Sequence, residues 1–350
     1  MKKILFTGGG SAGHVVPNIA LINDLRANGG ADVCYMGSGG IEKTIVSSKK
    51  IPYYEISSPK LVRGFNFRAL KNNLRIPFAF RRAVKEAEKG LRAFQPNAVF
   101  SKGGYVALPV VFAARKLGIP CFAHESDFSI GLANKLSAKK CECVFTSFPE
   151  TASKLKNGVY SGAPLKRELF NASPIQARKK FGVPPGIKTV LVFGGGSGSE
   201  AINAALRAQL STLAKRYFIL HVCGKGNVVH TTYKNYRQEE FIADMGAAYA
   251  CADLIVSRAG AGAVFEILAL KKPAVLIPLE NASRGDQKEN AAYFEKRGLC
   301  RVLPQSKLAQ LDGEIEAAFL DTKLQNALKE SSFRTGNDFI IRRVLQAVEK

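Results

Sequence analysis

The sequence predicts an α/β protein made of two doubly wound parallel-sheet domains, and three observations carry that expectation. A short apolar run, a glycine-rich loop and a helix-type pattern follow one another twice, first at the amino terminus and again near residue 190. After each occurrence strand-type and helix-type segments alternate, the order of a parallel sheet covered by helices. A length of 350 residues suits two domains of roughly 150–190 residues better than one.

Ile4-Leu5-Phe6 reads as the first buried strand and Thr7-Gly8-Gly9-Gly10-Ser11-Ala12-Gly13-His14 as its loop. A helix follows over about 17–26, with Ile19, Leu21, Ile22 and Leu25 as its apolar positions. Further strands are expected near 33–36, 99–100, 120–123 and 144–146. Gly and Pro interrupt the pattern at Ser161-Gly162-Ala163-Pro164, which sets a first domain of 1–161 and a second of 162–335. In the second, Val190-Leu191-Val192-Phe193 is a strand, Gly194-Gly195-Gly196-Ser197-Gly198-Ser199 a loop, and 200–213 a helix. Strands near 218–222, 254–257 and 274–277 continue the sheet, and a last helix is expected over about 338–348, within a terminal segment 336–350. Two such Rossmann-like halves facing one another form a cleft lined by strand carboxyl ends and helix amino ends. Unpaired N–H groups and positive dipole ends there favour anionic ligands.

Composition narrows the partners. Lys and Arg number 51 against 28 Asp and Glu, a net charge of +23, so an anionic partner is expected: nucleic acid, anionic lipid or a phosphorylated substrate. Apolar residues form 46% of the chain, which excludes a disordered one. The seven cysteines are scattered, mostly in apolar runs, and read as small buried hydrophobes. Cys141-x-Cys143 lacks the second pair or the histidine of a zinc site, and reduced thiols fit the cytoplasm. The apolar stretch after Met1-Lys2-Lys3 is too short for a signal peptide, and no run of 18 apolar residues offers a membrane span.

Gly8-x-Gly10-x-x-Gly13 matches the dinucleotide fingerprint in letters. A nicotinamide site also needs a carboxylate at the tip of the second strand to hold a ribose, and that strand runs instead into Gly37-Ser38-Gly39-Gly40. The loop is then either a tight turn or a surface for phosphate or acceptor. His14 enters the following helix, where the dipole favours the neutral, proton-accepting imidazole; the other reading is structural. Ser101-Lys102-Gly103-Gly104-Tyr105 and His124-Glu125-Ser126-Asp127 each follow a strand, and Gly131-Leu132-Ala133-Asn134-Lys135 opens a helix. Glu125 and Asp127 can accept a hydroxyl proton or bind sugar hydroxyls, or else cap the next helix.

The second half carries the sharper pattern. Ser257-Arg258-Ala259-Gly260-Ala261-Gly262-Ala263-Val264-Phe265-Glu266 is a strand end, a loop of small residues and a helix start. Such a loop lets phosphate reach backbone amides, and the acceptor-only carboxylate of Glu266 suits a ribose diol. Ser283-Arg284-Gly285-Asp286-Gln287-Lys288-Glu289-Asn290 adds amides that can bind a sugar or phosphates.

Together these motifs, from Gly8–His14 through the Gly194 loop to Ser257–Asn290, resemble the MurG family of N-acetylglucosaminyltransferases. The branch with His124-Glu125-Ser126-Asp127, Gly131-Leu132-Ala133-Asn134-Lys135 and Ser283-Arg284-Gly285-Asp286-Gln287 is the most similar. The resemblance implies the GT-B fold, a peripheral position on the cytoplasmic face of the bacterial plasma membrane, and a final helix packed back on the first domain. It implies inverting transfer of GlcNAc from UDP-GlcNAc to the C4 hydroxyl of MurNAc in undecaprenyl-pyrophosphoryl-MurNAc-pentapeptide (lipid I), making lipid II for peptidoglycan. By position, Ser11, Ala12 and Gly13 fall in a donor-contacting loop and His14 on a catalytic histidine. Ile242 and Met245 fall in the uracil segment, Ala261, Gly262, Ala263, Val264 and Glu266 in the phosphate loop and ribose carboxylate, and Gln287 on the donor glutamine. Lys166 stands where many members have a phosphate-binding Arg, keeping the charge without the bidentate fork. Gly196 takes the place of the loop serine, with Ser197 one position later, and Asp127 stands where many relatives have Asn.

Between Lys60 and Arg92 lie ten Lys or Arg against Glu86 and Glu88, interleaved with Leu74, Ile76, Phe78, Phe80 and Val84. Pro77 is placed to open a helix, so segment 60–92 reads as a basic, apolar surface for the anionic inner leaflet or as an ordinary packed helix. No nucleic-acid recognition fold is present in the pattern. His14, Glu125 or Asp127 is the expected base of a single displacement, and without a D-x-D motif at a strand tip no metal or other cofactor is expected. The rival classes are another GT-B enzyme, such as a glycolipid synthase or UDP-sugar epimerase, and a non-enzymatic nucleotide-binding subunit.

Overall fold

The computed structural model describes residues 2–60, 73–280, 285–333 and 335–349. The chain divides into two compact units, Met1–Lys166 with Thr335–Lys350, and Arg167–Arg334. The first holds β1 (Lys3–Thr7), β2 (Asp32–Gly37), β3 (Tyr53–Glu55), β4 (Ala98–Ser101), β5 (Cys121–Glu125), β6 (Cys143–Thr146) and β7 (Gly158–Tyr160). They form one sheet in the order β3-β2-β1-β4-β5-β6-β7, parallel throughout. The second holds β8 (Lys188–Phe193), β9 (Tyr217–Val222), β10 (Tyr236–Glu239), β11 (Leu254–Ser257), β12 (Ala274–Leu276) and β13 (Arg301–Val302). Its order is β10-β9-β8-β11-β12-β13, again all parallel.

The nine expected strands are the nine interior ones among the described residues. The four that the sequence did not announce, β3, β7, β10 and β13, are the edges of the two sheets. Each is short and largely half-buried, so it lacks the continuous apolar run that marks a strand covered on both faces. The helix expected over 200–213 is two, Glu200–Ala208 and Leu210–Arg216. Gln209 makes the break: its Nε2 donates to Ala205 O (2.9 Å) and Leu308 O (3.0 Å), and its Oε1 accepts from Asp312 N (2.8 Å). No Pro or Gly marks the kink, because the cause is a side chain bonded to a distant segment.

Period-two alternation sorts the core of the first unit. Ile4 and Phe6 of β1 face one layer, with Ile19, Ile22 and Leu25 of the helix Val16–Ala27. Leu5 faces the other, with Val110, Val111 and Ala114 of the helix Ala107–Lys116 and Ala87 and Leu91 of the helix Ile76–Phe94. That last helix turns Ala83, Ala87, Gly90 and Leu91 inward and leaves Arg81, Arg82, Lys85, Lys89 and Arg92 exposed. Small inward residues allow close packing on the helix Ala107–Lys116. Residues 61–72 of the basic segment lie outside the described residues.

The final helix, Asn337–Ala347, adds Ile340 and Val344 to the first core layer. Buried Asn337 fixes it: Oδ1 accepts from Leu165 N (2.9 Å), while Nδ2 donates to Leu165 O (2.8 Å) and Asp24 Oδ2 (2.6 Å). All seven cysteines are free and buried. In the second unit a buried network surrounds His221, whose Nε2 lies 2.9 Å from Asn203 Oδ1 and whose Nδ1 lies 2.8 Å from Tyr236 Oη. Because Asn203 Nδ2 donates to Cys223 O, its Oδ1 must accept, so the His221 proton is on Nε2.

Burial, with Arg207 adding to it, lowers the His221 pKa to about 3. An unfolded imidazole titrates near 6.5, so between those values the unfolded chain binds the extra proton. Stability from this group is therefore complete above about pH 6.5 and declines as pH falls toward 3, by up to about 1.4 kcal/mol per unit. His221→Gln should remove that component. Urea unfolding is expected to give a wild-type advantage at pH 7.5 that narrows at pH 5.

Candidate active site

The expected loops fall at the point in each sheet where strand order reverses. In the first, β1 lies beside β2 on one side and β4 on the other; in the second, β8 lies beside β9 and β11. Consecutive crossovers there run to opposite faces, leaving a crevice at the strand carboxyl ends where ligands of such sheets bind. The loop after β1 and the loop after β4 meet at the first reversal. A Cβ on Gly104, whose φ is 80°, would lie 2.3 Å from Gly9 O and 3.2 Å from His14 Nδ1. Only glycine fits so close to the neighbouring loop.

Ser11 and Gly13 are exposed, while Ala12 and His14 are half-buried in the 3-10 turn Ala12–His14, just before the helix Val16–Ala27. His14 Nδ1 lies 3.0 Å from Ser11 Oγ. The loop root is pinned by Asn18 Nδ2, which donates to Thr7 O (3.0 Å), and by Tyr35 Oη, which donates to Gly8 O (2.7 Å). Its middle is held by Glu42, a fully buried carboxylate on the first turn of the helix Ile41–Ser47. Glu42 accepts from Gly10 N (3.1 Å), from Ser38 N (3.2 Å) and from the Ser38 hydroxyl. No carboxylate stands at the tip of β2, and Glu42 lies further along the chain in the next helix. Its carboxylate bonds the glycine loop itself.

At the end of β5, Glu125 is buried and accepts from Asp127 N (3.1 Å), Gly131 N (2.8 Å) and Asn134 Nδ2 (2.9 Å). These bonds hold the loop from Ser126 to Gly131. Asp127 is half-buried near its tip. Lys102, 2% exposed at the end of β4, donates to Ser126 Oγ at 2.6 Å. Burial lowers its pKa, while Glu125 and Asp127 nearby act in the opposite sense. His124, also buried, is kept neutral by burial and by Lys102, and its Nε2 lies 3.1 Å from Gly162 O. Lys166, half-buried, closes the first unit's main segment.

In the second unit Gly196 and Ser197 are exposed at the tip of the loop after β8. Gly198 closes the loop at φ 78°, where a Cβ would lie 2.1 Å from Cys223 O. Arg258, at the end of β11, ties three loops together. It donates to Ser199 Oγ (2.8 Å), Ile277 O (3.2 Å) and Gln305 Oε1 (2.7 Å). The helix Ala261–Ala269 begins at Gly260 with no side chain capping it, so Ala261, Gly262 and Ala263 offer the first-turn amides such an end leaves without helical partners. Val264 is buried in the next position and anchors that end.

Glu266 is half-buried on this helix, and its Oε2 accepts from Tyr249 Oη at 2.8 Å. Ile242 is buried and Met245 half-buried at the start of the helix Met245–Cys251. Gln287, on the first turn of the helix Asp286–Glu295, accepts from Leu279 N at 3.0 Å. Ser283 and Arg284 lie outside the described residues.

The sequence placed Lys102 and Arg258 within their loops without giving them a role, and did not single out Glu42 or Tyr249. A buried-type Lys or Arg directly after an apolar strand was the available signal for the first two; Glu42 and Tyr249 read as ordinary helix residues. Glu42→Ala strands three donors and is expected to lower unfolding free energy by about 1–3 kcal/mol, read as a lower urea midpoint.

Residues 4–146 match the glycosyltransferase family 28 N-terminal domain and residues 189–342 the glycosyltransferase family 28 C-terminal domain. A UDP-N-acetylglucosamine–N-acetylmuramyl-(pentapeptide) pyrophosphoryl-undecaprenol N-acetylglucosamine transferase of Clostridium kluyveri is 45% identical, with 88% of each chain covered. Its counterpart in Clostridium novyi is 42% identical over 99% of this chain and 98% of the relative. Among solved structures, MurG of Acinetobacter baumannii aligns with a TM-score of 0.77 at 26% identity, covering 99% of this chain and 100% of that one. With both halves matched and relatives at 42–45% identity over most of its length, this chain belongs to the MurG family of glycosyltransferases.

Proposed function

We propose that this chain transfers GlcNAc from UDP-GlcNAc to the C4 hydroxyl of MurNAc in undecaprenyl-pyrophosphoryl-MurNAc-pentapeptide, with inversion at C1. The observation that carries this reading is the uncapped helix start at Ala261 with the Glu266 carboxylate on the same helix. Amides at such an end take a diphosphate, and a carboxylate beyond them takes a ribose diol. The named substrates of the relatives supply the identity of donor and acceptor.

In this reading Ile242 and Met245 meet the uracil, and Glu266 accepts from the ribose hydroxyls. Ala261 to Val264, with Gly196 and Ser197, surround the diphosphate. Gln287 meets the GlcNAc hydroxyls, and Lys166 adds a positive charge for phosphate. Ser11, Ala12 and Gly13 let the loop backbone come close to the transferred sugar. His14 takes the proton of the acceptor C4 hydroxyl, whose oxygen forms the bond to C1 as the bond to UDP breaks and its electrons pass to the diphosphate. First-turn amides stabilise the charge growing there. Asp127 is the second candidate for the base. Glu125, with three donors already bonded, serves to hold the loop that carries Asp127.

The helix Ile76–Phe94 is the proposed contact with the anionic cytoplasmic leaflet. Leu74 and Phe78 are 69% and 74% exposed at its amino-terminal end, beside Arg75, Arg81 and Arg82. Apolar tips with basic neighbours suit the headgroup boundary. No helix among the described residues is long and apolar enough to cross a membrane.

Turnover of UDP-GlcNAc should require a lipid I analogue and give a β-linked product by NMR. UDP release without any acceptor, at the same rate, would refute the assignment. His14→Ala is expected to lower kcat by about 100-fold or more at unchanged thermal midpoint; nearly full kcat would pass the base role to Asp127. Phe78→Asp should weaken co-sedimentation with phosphatidylglycerol vesicles several-fold while leaving kcat on a short-chain soluble acceptor unchanged.

A further inference from the structure

Tyr249 lies in the middle of the donor-binding segments without belonging to any of them. It is on the helix Met245–Cys251, one turn beyond Met245, and is 1% exposed. Its ring packs edge-on against Phe193, the last residue of β8 before the Gly194 loop, with centroids 6.0 Å apart and planes at 77°. Its hydroxyl donates to Glu266 Oε2 at 2.8 Å on the helix Ala261–Ala269. One side chain, carried on the helix that starts at Met245, therefore touches the residue read as the ribose contact and the strand end that leads into the Gly194 loop. The helix that carries it is itself fixed, since Asp244 caps it by accepting from Ala247 N at 3.0 Å.

We propose that Tyr249 is the positioning residue for ribose recognition, holding the Glu266 carboxylate in the one orientation in which its oxygens can accept from the vicinal hydroxyls. This rests on the reading of Glu266 as the ribose acceptor. A free Glu side chain has three rotatable bonds, and ordering it on binding costs affinity. A buried phenol donating to one carboxylate oxygen removes that cost in advance, as outer-sphere partners do for other binding groups. A hydrogen bond to an ionised acceptor is also stronger than a neutral one. Burial, and the negative charge of Glu266 beside it, raise the Tyr249 pKa well above the ordinary tyrosine range. The hydroxyl thus stays a donor at any pH where the enzyme works.

Tyr249→Phe keeps the ring and its contact with Phe193 and removes only the donor. Calorimetric titration of the full chain with UDP and with 2′-deoxy-UDP reads the effect. UDP should bind about 5–10-fold more weakly to the variant, and 2′-deoxy-UDP less than about 2-fold more weakly, so the preference for the ribonucleotide shrinks. In turnover, KM for UDP-GlcNAc should rise by a similar factor with kcat preserved. An equal loss for both ligands, or no loss, overturns the proposal. A general folding defect lowers the active fraction equally for both and cannot mimic the change in their ratio. Glu266→Gln is the separate control. If it keeps the wild-type preference for UDP over 2′-deoxy-UDP, the ribose reading of Glu266 fails, whatever Tyr249 does.

Discussion

Parallel strand pairing is the constraint on which the rest of this molecule depends. Every strand in both sheets runs the same way as its neighbours, so each connection must cross a face and return to the same end. All strand carboxyl ends, and the loops and helix starts that follow them, are thereby gathered along one edge of each sheet. His14, Lys102, Glu125 and Asp127 share one such edge, and Ser197, Arg258, Glu266 and Gln287 the other. Residues far apart in sequence become neighbours because the pairing direction leaves them no other place.

Loops at these edges would be floppy if glycine and backbone alone defined them. Buried and half-buried polar groups hold them instead. Glu42 bonds the first glycine loop, Glu125 the loop after β5, and Arg258 the ends of β11 and β12 and the Ser199 cap. A charge taken out of water is costly unless its hydrogen-bonding capacity is met. Each of these groups meets several backbone or side-chain partners at once, so the same bonds that offset the desolvation also fix the loop. Lys102 follows the same logic with Ser126 and the two acidic residues around it. Tyr249 extends it to another side chain by donating to the Glu266 carboxylate.

The terminal helix illustrates how small polar contacts decide packing. Its apolar residues Ile340 and Val344 complete a core layer that the first 166 residues leave open, yet apolar burial alone does not set a helix's register. Asn337 does so by bonding both backbone groups of Leu165 and the carboxylate of Asp24. Gly336 approaches Gly162 closely, where a Cβ would lie 2.7 Å from its carbonyl oxygen. A chain that leaves the first unit at Lys166 is brought back to the same place by three hydrogen bonds.

By itself the sequence determined the two-sheet α/β architecture, every interior strand, both glycine loops and the helix that carries Glu266. Those features are local: a strand covered on both faces must be apolar throughout, and a close turn before a helix must be small. Tertiary structure decided the edge strands, whose half-exposed residues carry no such run, and the kink at Gln209, made by a partner about a hundred residues away. It also decided what Glu42, Lys102 and Tyr249 do. A lone Glu on a first helical turn, a Lys after a strand and a Tyr within a helix are each compatible with many environments. Only the burial and the partners conferred by distant segments turn them into the groups that hold a loop or orient a carboxylate.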